Sequence, residues 1–166
     1  MELKPLDIVC VHGLRYNMAH LMIKWRSLDN IVHCFTLKDE DGYGYNPLFS
    51  GMEIDHISKY SGRYVTICRH KYIQEGKIKT ILDWCESKYK LSKKYDFINQ
   101  WLFGFILGFT SKSLVNNENA WTCSEFPYWM FQDNGVSITS VEESLPLPRL
   151  FKYHNDFEII FEGKLP

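Results

Sequence analysis

Pro127 restricts where a helix can begin within Trp121-Thr122-Cys123-Ser124-Glu125-Phe126-Pro127-Tyr128-Trp129. Deep inside a helix, proline removes a hydrogen bond and clashes with the carbonyl four residues back. The stretch follows the polar loop Asn116-Asn117-Glu118-Asn119, whose residues prefer turns to helix. Apolar positions then recur at helical spacing at Phe126, Trp129 and Met130, until Asn134-Gly135 supplies a C-terminal cap. Two starts are open. Thr122 with Glu125 forms the pattern of a capping box, with Cys123 as the first helical residue. A start capped by Ser124 instead sets Pro127 in the first turn. On either reading Cys123 sits at a helix N-terminus, where unpaired N–H groups and the positive end of the helix dipole favour a thiolate.

The rest of the chain bounds what that cysteine can belong to. Its 166 residues suffice for one domain with a real core, and we expect a single domain over 1–166. A hydrophobic content of 45% and an aromatic content of 16% exclude a disordered chain. A net charge of −1 offers no attraction to nucleic acid or an anionic membrane. The basic residues between Lys71 and Lys94 alternate with Glu75, Asp83 and Glu86, as on a solvated helix face. Five widely spaced cysteines, an odd number, do not make a disulfide framework. No basic-then-apolar leader precedes Asp7. A cytoplasmic protein with reduced thiols is expected. The apolar run from Trp101 to Phe109 is far short of the ~20 residues of a membrane span, so no stable membrane insertion is expected.

In chain order, Leu6 to Val11 predicts a strand and Asn17 to Trp25 a short helix. Ile31 to Leu37 predicts a strand that turns at Asp39-Glu40-Asp41-Gly42 into a second strand around Gly44 to Asn46. Arg63 to Cys68 is a further strand, and Ile78, Ile81, Leu82, Cys85 and Tyr89 form one helical stripe from Glu75 to Tyr89. Tyr95 to Phe109 is expected to be helical, and Phe157, Ile159 and Phe161 alternate as in a closing strand. Strands and helices fall in separate blocks, so the fold class is α+β.

A cysteine nucleophile needs a base, and the base needs a third group to hold its ring. His33, mid-strand between apolar neighbours, is a rigid position from which a ring can be aimed; His12, His20, His56, His70 and His154 fall in loops, in a helix or at strand ends. Cys68-Arg69-His70 has no second pair at zinc spacing, so no metal is expected, and the absence of C-x-x-C removes a thioredoxin-like role. Gly42-Tyr43-Gly44 reads as a turn without the strand–loop–helix context of a phosphate loop. No cofactor is expected.

Asp7-Ile8-Val9, then His33, then Tyr95-Asp96, then Cys123-Ser124-Glu125 resembles, in order and spacing, the circularly permuted branch of the NlpC-type papain-like superfamily, the YiiX/YaeF-like proteins. The likeness runs from about residue 5 to 161. It implies a permuted papain-like fold in which a small antiparallel sheet or barrel packs against helices. Carried over, Cys123 is the nucleophile, His33 the general base, Asn46 the ring-orienting residue where many relatives have glutamate, and Tyr95 an oxyanion-hole neighbour. Glu53 and Asp55 remain alternatives to Asn46. The implied activity is a thiol hydrolase cleaving a peptide or isopeptide bond. An acyltransferase or lipid-amide hydrolase of the lecithin–retinol acyltransferase kind, with Trp101 to Phe109 lining the acyl groove, and a non-catalytic binding module are the other two readings.

Overall fold

The apolar run behind Asp7 becomes a strand with both faces buried. In the computed structural model, which describes residues 1–13, 28–48, 51–91, 94–95, 120–138 and 146–166, β1 is Ile8–His12. Ile8 and Cys10 enter one core cluster, Val9 and Val11 the other. A strand covered on both sides needs successive apolar residues, which is the pattern seen here. It begins at Ile8 and not at Leu6 because Lys4-Pro5-Leu6-Asp7 turns. Asp7 N–H donates to the Lys4 carbonyl at 3.2 Å, and Leu6 takes φ 71° at the position after proline, where a type II turn needs positive φ.

The elements that follow are β2 (Ile31–Leu37), β3 (Tyr43–Leu48), β4 (Gly51–His56), a 3-10 turn (Ile57–Tyr60) and β5 (Tyr64–His70). Then come α1 (Glu75–Leu91), β6 (Lys94–Tyr95), β7 (Ala120–Trp121), α2 (Glu125–Asp133), α3 (Leu150–Tyr153) and β8 (Phe157–Lys164). Six of the strands form one sheet in the order β4-β3-β2-β1-β5-β8 with every pairing antiparallel. The fold is mixed α/β. Among the described residues the sheet is open at β4 and β8, a sheet and not a closed barrel.

The hairpin signal at Asp39 to Gly42 holds: Gly42 has φ 96°, and Asp39 Oδ1 accepts from the Tyr43 N–H at 3.0 Å. Tyr43 and Gly44 are strand, not turn. Gly44 is required by close approach, since a Cβ there would lie 2.5 Å from the Thr36 carbonyl oxygen and 2.9 Å from the Phe35 ring. Gly44→Ala is therefore expected to destabilise the protein by about 1–3 kcal/mol, the usual effect of overpacking. A urea midpoint within error of wild type would contradict this close approach.

The helical stripe of α1 turns Ile81 and Cys85 into the larger core, where they meet Phe126, Met130 and Phe131 of α2 and Phe151 of α3. The predicted helix at 17–25, and with it His20, lies outside the described residues, as do residues 96–109 of the helix predicted from Tyr95, the apolar run 101–109 among them. Tyr95 itself is in the strand β6, where its main chain pairs with β7, and not in a helix. Among the described residues, no helix is long and apolar enough to cross a membrane.

Candidate active site

Local capping chemistry sets the start of α2. Thr122 N–H donates to Glu125 Oε2 at 3.0 Å, and Glu125 N–H donates to Thr122 Oγ1 at 3.2 Å, the reciprocal pair of a capping box. The Thr122 carbonyl accepts from the Phe126 N–H at 3.3 Å, which closes a turn over Cys123 and Ser124 just ahead of the helix. The helix proper starts at Glu125 behind Ser124, with Pro127 in its first turn. At the other end, Gly135 (φ 66°) donates to Gln132 O at 3.1 Å and Val136 to Phe131 O at 2.9 Å. That is a Schellman motif, and it ends the helix at the anticipated Asn134-Gly135.

Pro127 then has a consequence one turn back. It has no N–H, so the Cys123 carbonyl is left without its helical donor. The Cys34 thiol fills the gap, donating to Cys123 O at 3.0 Å from a fully buried position on β2. An orphan carbonyl four residues before a proline is readable in a sequence; the donor that meets it is not.

Cys123 is 2% exposed. Its thiol is held well below the ordinary cysteine range first by its contact with the Cys34 side chain, against burial, and then by the hydrogen bond and charge of His33. The half-buried His33 ring is pulled down by burial, but its hydrogen bond and ion pair with Cys123 and its bond to Asn46 leave it net raised. Burial pushes the Cys34 and Cys85 thiols up, and Cys10 is held up by the Cys68 thiol and by burial. Each of the two groups, Cys123 and His33, thus favours the charged form of the other.

On its other side, His33 Nε2 lies 2.7 Å from Asn46 Oδ1. Asn46 is on β3 and fully buried; its Nδ2 donates to Asp55 Oδ2 at 2.7 Å and to the Tyr60 hydroxyl at 3.0 Å. Asp55 also accepts from Lys59 Nζ at 2.7 Å. Of the three residues that competed for the position beside the histidine, Asn46 touches the ring and Asp55 stands behind it. Glu53, although directly opposite Asn46 in the β3–β4 register, lies 4.0 Å from Lys59 Nζ. Tyr60 and Lys59 carried no sequence signal, because they reach the site from the 3-10 turn after β4.

Tyr95 is brought near by its main chain: β6 and β7 pair in parallel with Tyr95 opposite Trp121, two residues before Cys123. Its side chain lies outside the described residues, as does His20. The remaining histidines have other surroundings. His12 Nε2 meets Thr66 Oγ1 at 2.9 Å, and His56 caps the exposed 3-10 turn. His70 is boxed by Phe131 and Phe157, while His154 lies 3.5 Å from Asp156.

No family model matches the chain and no curated protein matches it. Among solved structures, the crystal structure of metalloprotein yiiX from Escherichia coli O157:H7 matches over 100% of both chains, with a TM-score of 0.70 at 11% sequence identity. The chain has a YiiX-like fold.

Proposed function

We propose that the protein is a cysteine-dependent hydrolase, one permuted papain-like domain over residues 1–166, that cleaves an amide bond in a peptide or isopeptide. The observation that carries this reading is the contact series from Cys123, at the start of α2, through His33 to Asn46. With Nε2 on Asn46, the other ring nitrogen of His33 is left for the thiol, as a Cys-His-Asn set requires.

In this reading the Cys123 thiolate attacks the scissile carbonyl carbon, and the C=O π electrons move onto oxygen. The Cys123 N–H, at the positive end of α2, stabilises that oxyanion, with Tyr95 as the second donor. Imidazolium at His33 gives its proton to the leaving amine as the C–N bond breaks, leaving a thioester on Cys123. Neutral His33 then takes a proton from water, the hydroxide adds to the thioester, and the acid leaves with the thiolate restored. An alcohol or amine in place of that water makes the same centre an acyltransferase. The yiiX relative is described as a metalloprotein. Among the described residues here no group of three or more His, Cys, Asp or Glu could hold a metal ion, and no step is assigned to one.

The test is iodoacetamide labelling against pH, read by mass spectrometry at each of the five cysteines. Cys123 is expected to label well below the free-thiol pKa of about 8.5, while the fully buried Cys10, Cys34, Cys68 and Cys85 stay unlabelled. Labelling of Cys123 no faster than Cys85 at every pH would remove the basis of the reading.

A further inference from the structure

We propose that Asp55 is a positioning residue that fixes, through Asn46, which nitrogen of His33 carries the proton. This rests on the thiolate–imidazole reading above and extends it by one residue. A carboxylate can only accept hydrogen bonds. Asp55 Oδ2, 2.7 Å from the Asn46 side-chain amide, must therefore face Nδ2 and not Oδ1. The Tyr60 hydroxyl takes the second Nδ2 hydrogen at 3.0 Å. Both donors of the amide are then used, and its oxygen is turned toward His33 Nε2 at 2.7 Å. An amide oxygen accepts, so Nε2 must hold the hydrogen, and Nδ1 is the nitrogen free to exchange a proton with Cys123.

Without Asp55 the amide could turn over and offer N–H to the ring. His33 would then carry its proton on Nδ1, the wrong side for accepting one from a thiol. Asparagine beside the histidine supplies no charge, but the Asp55 carboxylate behind it does, and polarised hydrogen bonds in series strengthen one another. Asn46 with Asp55 thus supplies the ring with both an oriented acceptor and a charge, split over two residues on neighbouring strands. Asn46 pairs directly with Glu53, and Asp55 is the diagonal neighbour on the same face, within reach of a side-chain contact.

The charged and titratable groups around this line are Cys123 from the turn ahead of α2, Cys34 from β2, Asp55 and, beyond Lys59, Glu53 from β4, Lys59 and Tyr60 from the 3-10 turn, and Arg63 beyond Tyr60. Lys59, 2.7 Å from Asp55, opposes the carboxylate. Its removal should therefore act on His33 in the opposite direction to removal of Asp55. A structural role for Asp55 alone predicts no such pair of opposite effects.

Two readouts test the assignment. The first is the tautomer of neutral His33, read from ring nitrogen chemical shifts in a Cys123→Ala background, which is independent of whether Cys123 is a nucleophile. With Asp55 present the ring is expected to be at least about tenfold in favour of Nε2–H, as one well-made hydrogen bond to a fixed acceptor implies. Asp55→Ala, which removes the acceptor of the Asn46 Nδ2 hydrogen, should give a mixture with substantial Nδ1–H, and an unchanged tautomer overturns the proposal.

The second readout is Cys123 alkylation in the otherwise native chain. Asp55→Asn is expected to slow it about tenfold near pH 6.5 and move its acid limb about one pH unit upward. Lys59→Ala, an exposed change that leaves the fold intact, should move the limb downward. Equal shifts in both variants, or none, overturn the proposal. If wild-type Cys123 fails to label at all, the hydrolase reading falls, and the tautomer measurement still decides the role of Asp55.

Discussion

Replacing His33 with alanine is expected to slow alkylation of Cys123 at pH 6.5 by about ten- to a hundredfold, the range set by losing a hydrogen bond to a charged group. The thiol is depressed first by Cys34, then by the hydrogen bond and charge of His33, and burial opposes both. Alanine removes the imidazole's hydrogen bond and charge and leaves burial to push the thiol up against Cys34 alone. The sign follows from the thiolate being the reactive form. In the wild type, thiolate persists as pH falls until the lowered pKa is crossed; in the variant it is lost at a higher pH. The raised His33 adds the upper bound, since imidazolium survives above the ordinary histidine range before it deprotonates. Labelling of the variant should recover at high pH, where the thiol ionises without help. A rate that stays low at pH 10 would mean the substitution damaged access or folding and not ionisation. An unchanged profile would disconnect His33 from Cys123.

Arg69→Ala is expected to lower unfolding stability by about 3 kcal/mol, the low end for breaking a buried ion pair by removing one partner. Asp7 is fully buried. Arg69 Nε and Nη2 grip its two oxygens, each at 2.8 Å, a bidentate geometry that only guanidinium supplies. The Lys4 N–H at 2.8 Å is the remaining partner of that carboxylate, so loss of Arg69 leaves a buried charge under-compensated. The pair also anchors the turn at Lys4 to Asp7, since Asp7 O accepts from Leu37 N–H on β2. Arg69→Lys should recover less than half of the loss, because an ammonium cannot engage both oxygens at once. Urea unfolding of the two variants checks this, and a loss under about 1 kcal/mol for alanine would show that water reaches the carboxylate and the pair is effectively a surface one.

Both results depend on contacts of very different range, and that range separates what could be read from the chain from what could not. The start of α2 was legible because Thr122, Glu125 and Pro127 all act within one turn. The reciprocal Thr122–Glu125 bonds form, and the helix itself begins at Glu125 after Ser124, the second of the two open starts, with Pro127 in its first turn. The same holds for the cap at Gly135, the stripe of α1 and the turn at Gly42. β4 was not anticipated, since Gly51-Met52-Glu53-Ile54-Asp55-His56 lacks a β-branched run and carries two acids. Its strand character comes from pairing with β3, not from its own residues. The short β6 and β7 exist only because each supplies the other's partner across 24 intervening residues.

By itself, then, the sequence determined local events: capping, turn chemistry, helical and strand periodicity, and the run of apolar residues that demands a strand covered on both faces. Tertiary structure alone decided that Cys34 would meet the carbonyl that Pro127 leaves unpaired, and that Arg69 would close on Asp7 from 62 residues away. It also decided that Asn46, not Glu53 or Asp55, would touch His33, with Asp55 taking the far side of the amide. The physical reason is the same in each case. A cap or a turn is specified by residues within about four positions of one another, whereas a side-chain contact across strands depends on register. A slip of one residue in β3 or β4 would turn Asn46 or Asp55 to the opposite face.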